Sequence, residues 1–163
     1  KGVIELTRAK KALSQAVLLI SGAIMLGFGA MRGETETVLS KQELEGRVCY
    51  GGLDLSSTTD LTCFCLVFPP EDESEPYYIL PYYWLPEETL PLRVNRDHVP
   101  YDVWERQGYI QTTEGNVVHY GFIEKFIEAL GEKYNIREIA FDRWGAIQMV
   151  QNLEGMGFTV VPF

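Results

Sequence analysis

The sequence predicts an α/β protein with a mixed β-sheet, in which three antiparallel strands are followed by strand-helix-strand units. Three observations support this fold class. Strand-like apolar runs joined by short links fill residues 47–85, and an amphipathic helical stripe covers residues 120–134. The final apolar segments then alternate strand, helix and strand, which implies parallel pairing through a right-handed crossover.

The first three strands are predicted where β-branched and aromatic residues cluster between turn residues. In order they are Arg47–Leu55, Leu61–Phe68 and Tyr77–Leu85. Gly51 and Gly52 allow another backbone or side chain to approach the first strand closely. The acidic stretch 69–76 is predicted as a hairpin turn, and Pro81 indicates an edge or a bulge in the third strand.

The later elements follow a helical period interrupted by short strands. The predicted helices are Pro86–Arg96, Val99–Gln107, Tyr120–Tyr134 and Gly145–Gly155, and the predicted strands are Tyr109–Thr113, Ile136–Phe141 and Phe158–Val161. The helix that begins at Tyr120 carries apolar residues at positions 122, 123, 126, 127 and 130, which is the stripe of a helix packed on a sheet. This order of elements is that of a ribonuclease H-like fold, although other mixed α/β folds share it.

Composition and charge fit one domain with a real core. The 163 residues are 46% hydrophobic and 12% aromatic, with a net charge of −9. That charge argues mildly against a dedicated nucleic-acid binder, but carboxylates that hold metal ions also make a site acidic. The cysteines at 49, 63 and 65 form no CxxC or Cys/His pattern, so we predict reduced core cysteines of a cytosolic protein and no zinc site.

The N-terminal part differs from the rest. We expect an atypical segment and linker over residues 1–45, and the domain over 46–163. Residues 16–31 are uncharged and apolar, but 16 residues are fewer than the roughly 20 of a membrane span. A buried or poorly formed helix is the simplest interpretation, with a membrane segment or a sequence artefact as alternatives. The chain begins with Lys1 and stops at Phe163, and both ends are interpreted as cuts through a longer protein.

Two aspartates stand where chemistry is expected. Asp54 follows the apolar part of the first predicted strand, and Asp142 directly follows the strand that ends at Phe141. Strands that end in carboxylates can bring both groups to one edge of a sheet, where hard divalent cations such as Mg²⁺ or Mn²⁺ bind oxygen ligands. Two such ions support phosphodiester hydrolysis. Asp60 is a weaker candidate for a further ligand.

Each aspartate also has a purely structural interpretation. Asp142 precedes a predicted helix and could be its N-cap. Asp54 could accept hydrogen bonds from the turn at residues 56–59, and Asp60 could be a turn residue at the start of a strand. The pairing of Asp54 with Asp142 favours the metal site over either residue alone.

Three stretches in this order resemble phage large terminase subunits. Residues 52–62 (GLDLSSTTDLT) are similar to the first nuclease motif of that family, residues 101–120 to its middle segment, and residues 139–146 (IAFDRWGA) to its second acidic motif. The resemblance runs from about Leu44 to Phe163. It implies a ribonuclease H-like, metal-dependent endonuclease that cuts concatemeric double-stranded DNA during packaging.

The resemblance also implies site residues and partners. It makes Asp54 and Asp142 catalytic metal ligands, with Asp60 as a further ligand, for two Mg²⁺ or Mn²⁺ ions. It implies the terminase small subunit and the portal protein as partners, and the cytoplasm of an infected or lysogenic bacterium as the location.

The chain also departs from the family. The third catalytic carboxylate of the family lies beyond residue 163, so the nuclease domain is expected to be incomplete at its C-terminus. No GxxxxGK[ST] loop of the ATPase is present. The family usually has an acidic residue where His119 stands.

Other interpretations remain open. The fragment could be a catalytically inactive prophage remnant or a docking module of the packaging motor. A less favoured alternative is an ATP-binding protein of the actin and hexokinase type, whose sheet also begins with a meander and an aspartate.

Several other residues are given ordinary roles. We expect structural or surface roles for His98 and His119, a surface ion pair rather than a phosphate contact for Arg143, and packing rather than base stacking for the aromatic run Tyr77–Trp84. Tyr101 and Trp104 are predicted to belong to the core.

Overall fold

A computed structural model describes residues 40–55, 61–72, 74–141 and 147–162 of the chain. Within these residues, six strands form one sheet in the order β4-β3-β2-β1-β5-β6. The strands are β1 (Val48–Asp54), β2 (Thr62–Phe68), β3 (Tyr78–Pro86), β4 (Gln111–Thr113), β5 (Asn135–Phe141) and β6 (Val160–Pro162). The helices are α1 (Leu90–Asp97), α2 (Tyr101–Arg106), α3 (Tyr120–Lys133) and α4 (Ile147–Gly155).

The strand directions confirm the predicted mixed sheet. β1, β2 and β3 pair antiparallel. β5 pairs parallel with β1, and β6 pairs parallel with β5. β4 pairs parallel with the last three residues of β3. The carboxyl ends of β1, β3, β4, β5 and β6 therefore lie at the same edge of the sheet, which we call the carboxyl edge.

Alternation along β2 divides the buried residues between two faces of the sheet. Phe64, Leu66 and Phe68 belong to one apolar cluster, and Cys63, Cys65 and Val67 to the other. The first cluster is covered by α3 and α4, through residues that include Ile123, Ile127, Met149 and Leu153. The second is covered by Leu90, Tyr101, Trp104 and Ile110, which come from α1, α2 and the segment before β4. Both faces of β2 are therefore dry, as predicted for a central strand.

Close packing at the centre of the sheet depends on a glycine in β1. A Cβ atom added to Gly51 would lie 3.0 Å from the side chains of both Ile139 and Phe64, which are fully buried. The close approach predicted for this glycine is thus real. It lets the ring of Phe64 lie against the β1 backbone.

The three cysteines are free and buried, as predicted for reduced core residues. Burial raises the pKa of the Cys49 thiol to about 12. The pKa of Cys65 is also raised to about 12 by burial, against a smaller opposing effect of a hydrogen bond from the Gly52 backbone. Both thiols are therefore neutral across the physiological pH range.

Two of the predicted helices are shorter than the pattern suggested, and prolines explain why. The stretch predicted as one helix from Pro86 begins as a 3-10 turn over Glu87–Thr89, and α1 starts at Leu90 with a proline in its first turn. The next helix begins at Tyr101 rather than Val99, because Pro100 occupies the N-cap position. Proline fits the start of a helix and disrupts its interior.

The N-terminal prediction falls mostly outside the described residues, which exclude the apolar stretch 16–31. Leu44, assigned to the linker, is 1% exposed and packs in the first apolar cluster. Among the described residues, no helix has both the length and the apolar character that crossing a membrane requires.

Candidate functional site

Asp54 is the last residue of β1 and is half-buried at the carboxyl edge. It pairs across the antiparallel ladder with Cys63, so its side chain lies on the face of the second apolar cluster. A carboxylate is costly to bury unless it is paired or bound to a cation, and at the end of the strand Asp54 stays partly accessible to solvent.

The neighbouring strand brings a second chain segment to the same place. β5 is parallel to β1, and its last residue, Phe141, pairs with Leu53, which directly precedes Asp54. The two strands therefore end side by side. Asp142 follows Phe141 in the sequence, but Asp142 and Asp60 lie outside the described residues, as does Arg143.

The chemistry of the available donors decides which metal could fit here. Among the described residues, no group of three or more His, Cys, Asp or Glu side chains is arranged to hold a metal ion. The described part of the site contributes one carboxylate, that of Asp54. Carboxylate oxygens suit Mg²⁺ and Mn²⁺, so the residue present fits a hard cation and needs further oxygen ligands.

The thiol of Cys63 lies next to Asp54 but does not change that preference. Burial, assisted by the charges of Cys65 and Asp54, raises the pKa of Cys63 well above its ordinary value. The thiolate is the form that coordinates a metal, so Cys63 would have to lose its proton to act as a ligand. The carboxylate of Asp54 is therefore the described donor, and it favours hard, oxygen-ligated ions.

A second feature of the carboxyl edge is an open cleft of about 500 Å³ between the end of β4 and the start of α3. Its lining residues are Thr112, Thr113, Glu114, His119, Gly121, Phe122 and Lys125. His119 is the N-cap residue of α3, with extended backbone and no side-chain hydrogen bond to the helix. Its backbone N–H donates to the hydroxyl of Thr113 at 3.3 Å, which ties the helix start to β4.

Sequence reasoning missed this cleft. Its two walls lie several residues apart in the chain, and His119 was assigned a surface or structural role. The spacing of His119, Phe122 and Lys125 was the signal that could have found it, because residues three apart lie on one side of a helix.

The other residues singled out in the sequence have structural surroundings. His98 ends α1 in a left-handed conformation with φ 55°. Tyr101 and Trp104 are half-buried, pack against the second apolar cluster and contact each other edge to face at 5.7 Å. In the aromatic run of β3, Tyr82, Tyr83 and Trp84 are buried, which confirms packing rather than base stacking for these three.

Comparison with known proteins gives a consistent result. The family model described as "Terminase large subunit, endonuclease domain" matches residues 32–162. The large terminase subunit of Enterobacteria phage HK97 is 36% identical over 114 residues, which are 70% of this chain and 22% of that protein. The crystal structure of the HK97 bacteriophage large terminase is similar with a TM-score of 0.58 and 33% identity, covering 77% of this chain and 28% of that one. The structural match supports the ribonuclease H-like fold, and the chain spans less than a third of the length of either relative.

Proposed function

The chain belongs to the family of terminase large subunit endonuclease domains, and from that premise we propose that it is a divalent-metal-dependent nuclease domain that cuts concatemeric double-stranded DNA. Asp54 and Asp142 are the proposed catalytic metal ligands, and Asp60 is a proposed further ligand. The cofactor is Mg²⁺ or Mn²⁺, with two ions in a complete site.

One observation carries this proposal, namely the side-by-side ends of β1 and β5. Leu53 pairs with Phe141 in parallel register, and each is followed in the sequence by an aspartate. Paired strands lie about 4.8 Å apart, so carboxylates one residue beyond such a pair can reach one ion between them. The parallel pair Pro86 and Thr113 is likewise followed by two acidic residues, Glu87 and Glu114, so it is their place in the two acidic motifs of the family that favours Asp54 and Asp142.

The residues would divide the work as follows. Metal ions in such a site activate water and stabilise the leaving oxygen of the phosphodiester. Asp54 supplies an anionic oxygen from a rigid strand, whose position is fixed on both sides by β2 and β5. Asp54 lies on the sheet face of the second apolar cluster, which includes Cys63. The cluster limits water on this face, which would strengthen the attraction between the Asp54 carboxylate and a cation.

The proposal extends to the whole protein from which such a domain comes. Double-stranded DNA is the proposed substrate, the terminase small subunit and the portal protein are the proposed partners, and the bacterial cytoplasm is the proposed location. The same family membership would also hold for an inactive remnant or a docking module, so activity must be measured.

The test is a calorimetric Mn²⁺ titration of the full chain beside Asp54→Asn and Asp142→Asn. Asp102→Asn is the matched control, because Asp102 is an exposed aspartate on α2 that pairs with Arg106. We expect Mn²⁺ binding by the wild type and by the control, and its loss in both site variants.

Cleavage of plasmid DNA in the presence of Mn²⁺ then separates an active domain from a remnant. If the folded wild type binds no Mn²⁺, or if either site variant binds like the control, the metal site proposed here is wrong. Binding without cleavage would favour the incomplete or docking interpretation.

A further inference from the structure

The cleft between β4 and α3 has two chemically different walls. The helix wall carries His119, Phe122 and Lys125, and the strand wall carries Thr112, Thr113 and Glu114. Its volume of about 500 Å³ falls within the range of cavities that hold a small ligand. The cleft is open to solvent, so it can admit one unit of a long polymer as well as a free molecule.

The helix wall combines cationic and aromatic groups at regular spacing. His119, Phe122 and Lys125 follow one another at intervals of three residues, which places them along one side of α3. Phe122 is 45% exposed, whereas Ile123, Ile127 and Leu130 on the same helix are buried. Among the described residues, Lys125 takes part in none of the ion pairs, which involve Arg47, Arg96 and Arg106.

The hydroxyl of Thr112 on the strand wall completes a set suited to a phosphodiester, whereas Thr113 is buried and its hydroxyl accepts from the His119 N–H. Threonine hydroxyls donate to phosphate oxygens, a lysine supplies the charge, and an aromatic ring can lie against a sugar or a base. Glu114 opposes such a ligand, because its carboxylate adds negative charge to the same cleft. The polar groups that face the ligand are therefore the ammonium of Lys125 and the imidazole of His119 on one wall and the carboxylate of Glu114 on the other.

The position of the cleft relates it to Asp54. β4 lies three strands from β1 at the carboxyl edge, or about 14 Å at the usual strand spacing. Extension of the strand register places Thr113 about three residues beyond the level of Asp54, which brings the separation to roughly 17 Å. α3 covers the sheet face of the first apolar cluster, whereas Asp54 lies on the face of the second. A ligand that contacts both α3 and Asp54 must therefore cross the carboxyl edge.

We propose that this cleft binds the sugar-phosphate backbone of a DNA duplex lying across the carboxyl edge of the sheet. This inference rests on the proposed nuclease function for the identity of the nucleic acid. DNA rises about 3.4 Å per base pair, so a phosphate held by a metal ion at Asp54 and a phosphate in the cleft would lie about five base pairs apart along the duplex axis. Lys125 and His119 contact the phosphate, and Phe122 lies against the adjoining sugar.

Binding of a short fluorescent DNA duplex, measured by anisotropy in EDTA, tests the inference without metal or cleavage. Lys125→Glu is compared with Lys133→Glu, which makes the same charge change at the other end of α3. We expect Lys125→Glu to weaken binding by about fivefold or more and the control to change it less than about twofold. Lys125→Gln should lower the slope of log affinity against log salt by about 0.9.

A gain-of-binding variant excludes a trivial loss of folding. Glu114→Gln removes the opposing charge and should tighten binding by about twofold, whereas Glu132→Gln, at the far end of α3, should have less effect. Thermal unfolding of every variant verifies that the fold is intact.

The outcomes separate this inference from the proposed function. Equal binding by Lys125→Glu and Lys133→Glu, or no binding by the wild type, overturns the cleft as a DNA contact. In that case Mn²⁺ binding at Asp54 would still support the nuclease proposal. Conversely, DNA binding that depends on Lys125 in a protein that binds no Mn²⁺ upholds the cleft and overturns the metal site.

Discussion

Replacing His119 with aspartate should stabilise the protein, because α3 begins without a side-chain cap. His119 occupies the N-cap position with φ −84° and ψ 95°, and its side chain makes no hydrogen bond to the helix. Its carbonyl already accepts a hydrogen bond from the Phe122 N–H at 3.0 Å, so the backbone has the geometry of a helix start. An aspartate there could accept from the N–H groups of the first turn.

The expected gain is about 1 kcal/mol. An N-cap aspartate is worth typically about 1 kcal/mol over a residue that does not cap. Its charge near the positive end of the helix dipole contributes to that figure. A change of this size raises the melting temperature by roughly 3–6 °C in a domain of this length. The nearby carboxylate of Glu114 reduces the gain, since both groups line the same cleft.

Thermal unfolding at neutral pH, followed by circular dichroism, measures the effect. His119→Asn should give a smaller gain, and His119→Ala should give none. The aspartate cap depends on ionisation, so its pKa is lower in the folded state than in the unfolded state. Its stabilisation is present above the unfolded pKa of about 3.9 and is lost as the pH falls through the lower folded value. Equal melting temperatures for His119→Asp and His119→Ala at pH 7 would refute this reasoning.

Three further predictions follow from the core and the surface. Gly51→Ala should destabilise the protein by about 1–3 kcal/mol in urea unfolding, because the new methyl group meets Phe64 at 3.0 Å; an unchanged midpoint would contradict the packing described. Hydrogen bonding to Arg47 lowers the pKa of Glu75, so the stabilisation it provides holds above the ordinary value of 4.5 and is lost as the pH falls through the folded pKa. At neutral pH, Glu75→Gln should therefore have a lower free energy of unfolding than the wild type, and that free energy should depend less on pH during acid unfolding. Equal pH dependence in the two proteins would count against the ion pair. The native protein should resist iodoacetamide, because burial keeps the thiols of Cys49, Cys63 and Cys65 protonated. All three thiols should react only after unfolding. Rapid labelling without denaturant would contradict their burial.

Most of the fold could be predicted because its apolar patterns are long. The run Leu61–Phe68 is apolar on both faces, and the structure makes it a central strand with two dry faces. The stripe from Tyr120 onward gives α3 to within one residue. β4 was harder, because three residues carry little periodic signal. Its pairing with the end of β3 involves residues far apart in the sequence, which local patterns do not encode.

The candidate site was predictable only in part. An aspartate after an apolar strand marked Asp54, and the parallel pairing of β5 with β1 agrees with the expected meeting of strand ends. Asp60 and Asp142 lie outside the described residues, so their roles remain predictions. The cleft was not predicted from the sequence, because its two walls, which include Glu114 and Lys125, meet only when β4 and α3 pack together.

The limited length of β4 has a consequence for association between copies of the protein. β4 pairs only with Trp84–Pro86, so among the described residues the earlier part of β3 has a strand neighbour on one side alone. Such an open strand edge invites another chain to add itself and begin aggregation. Pro81 lies exposed within that stretch and lacks the N–H group that an incoming strand would need. This proline therefore protects a strongly apolar and aromatic strand against polymerisation at high concentration.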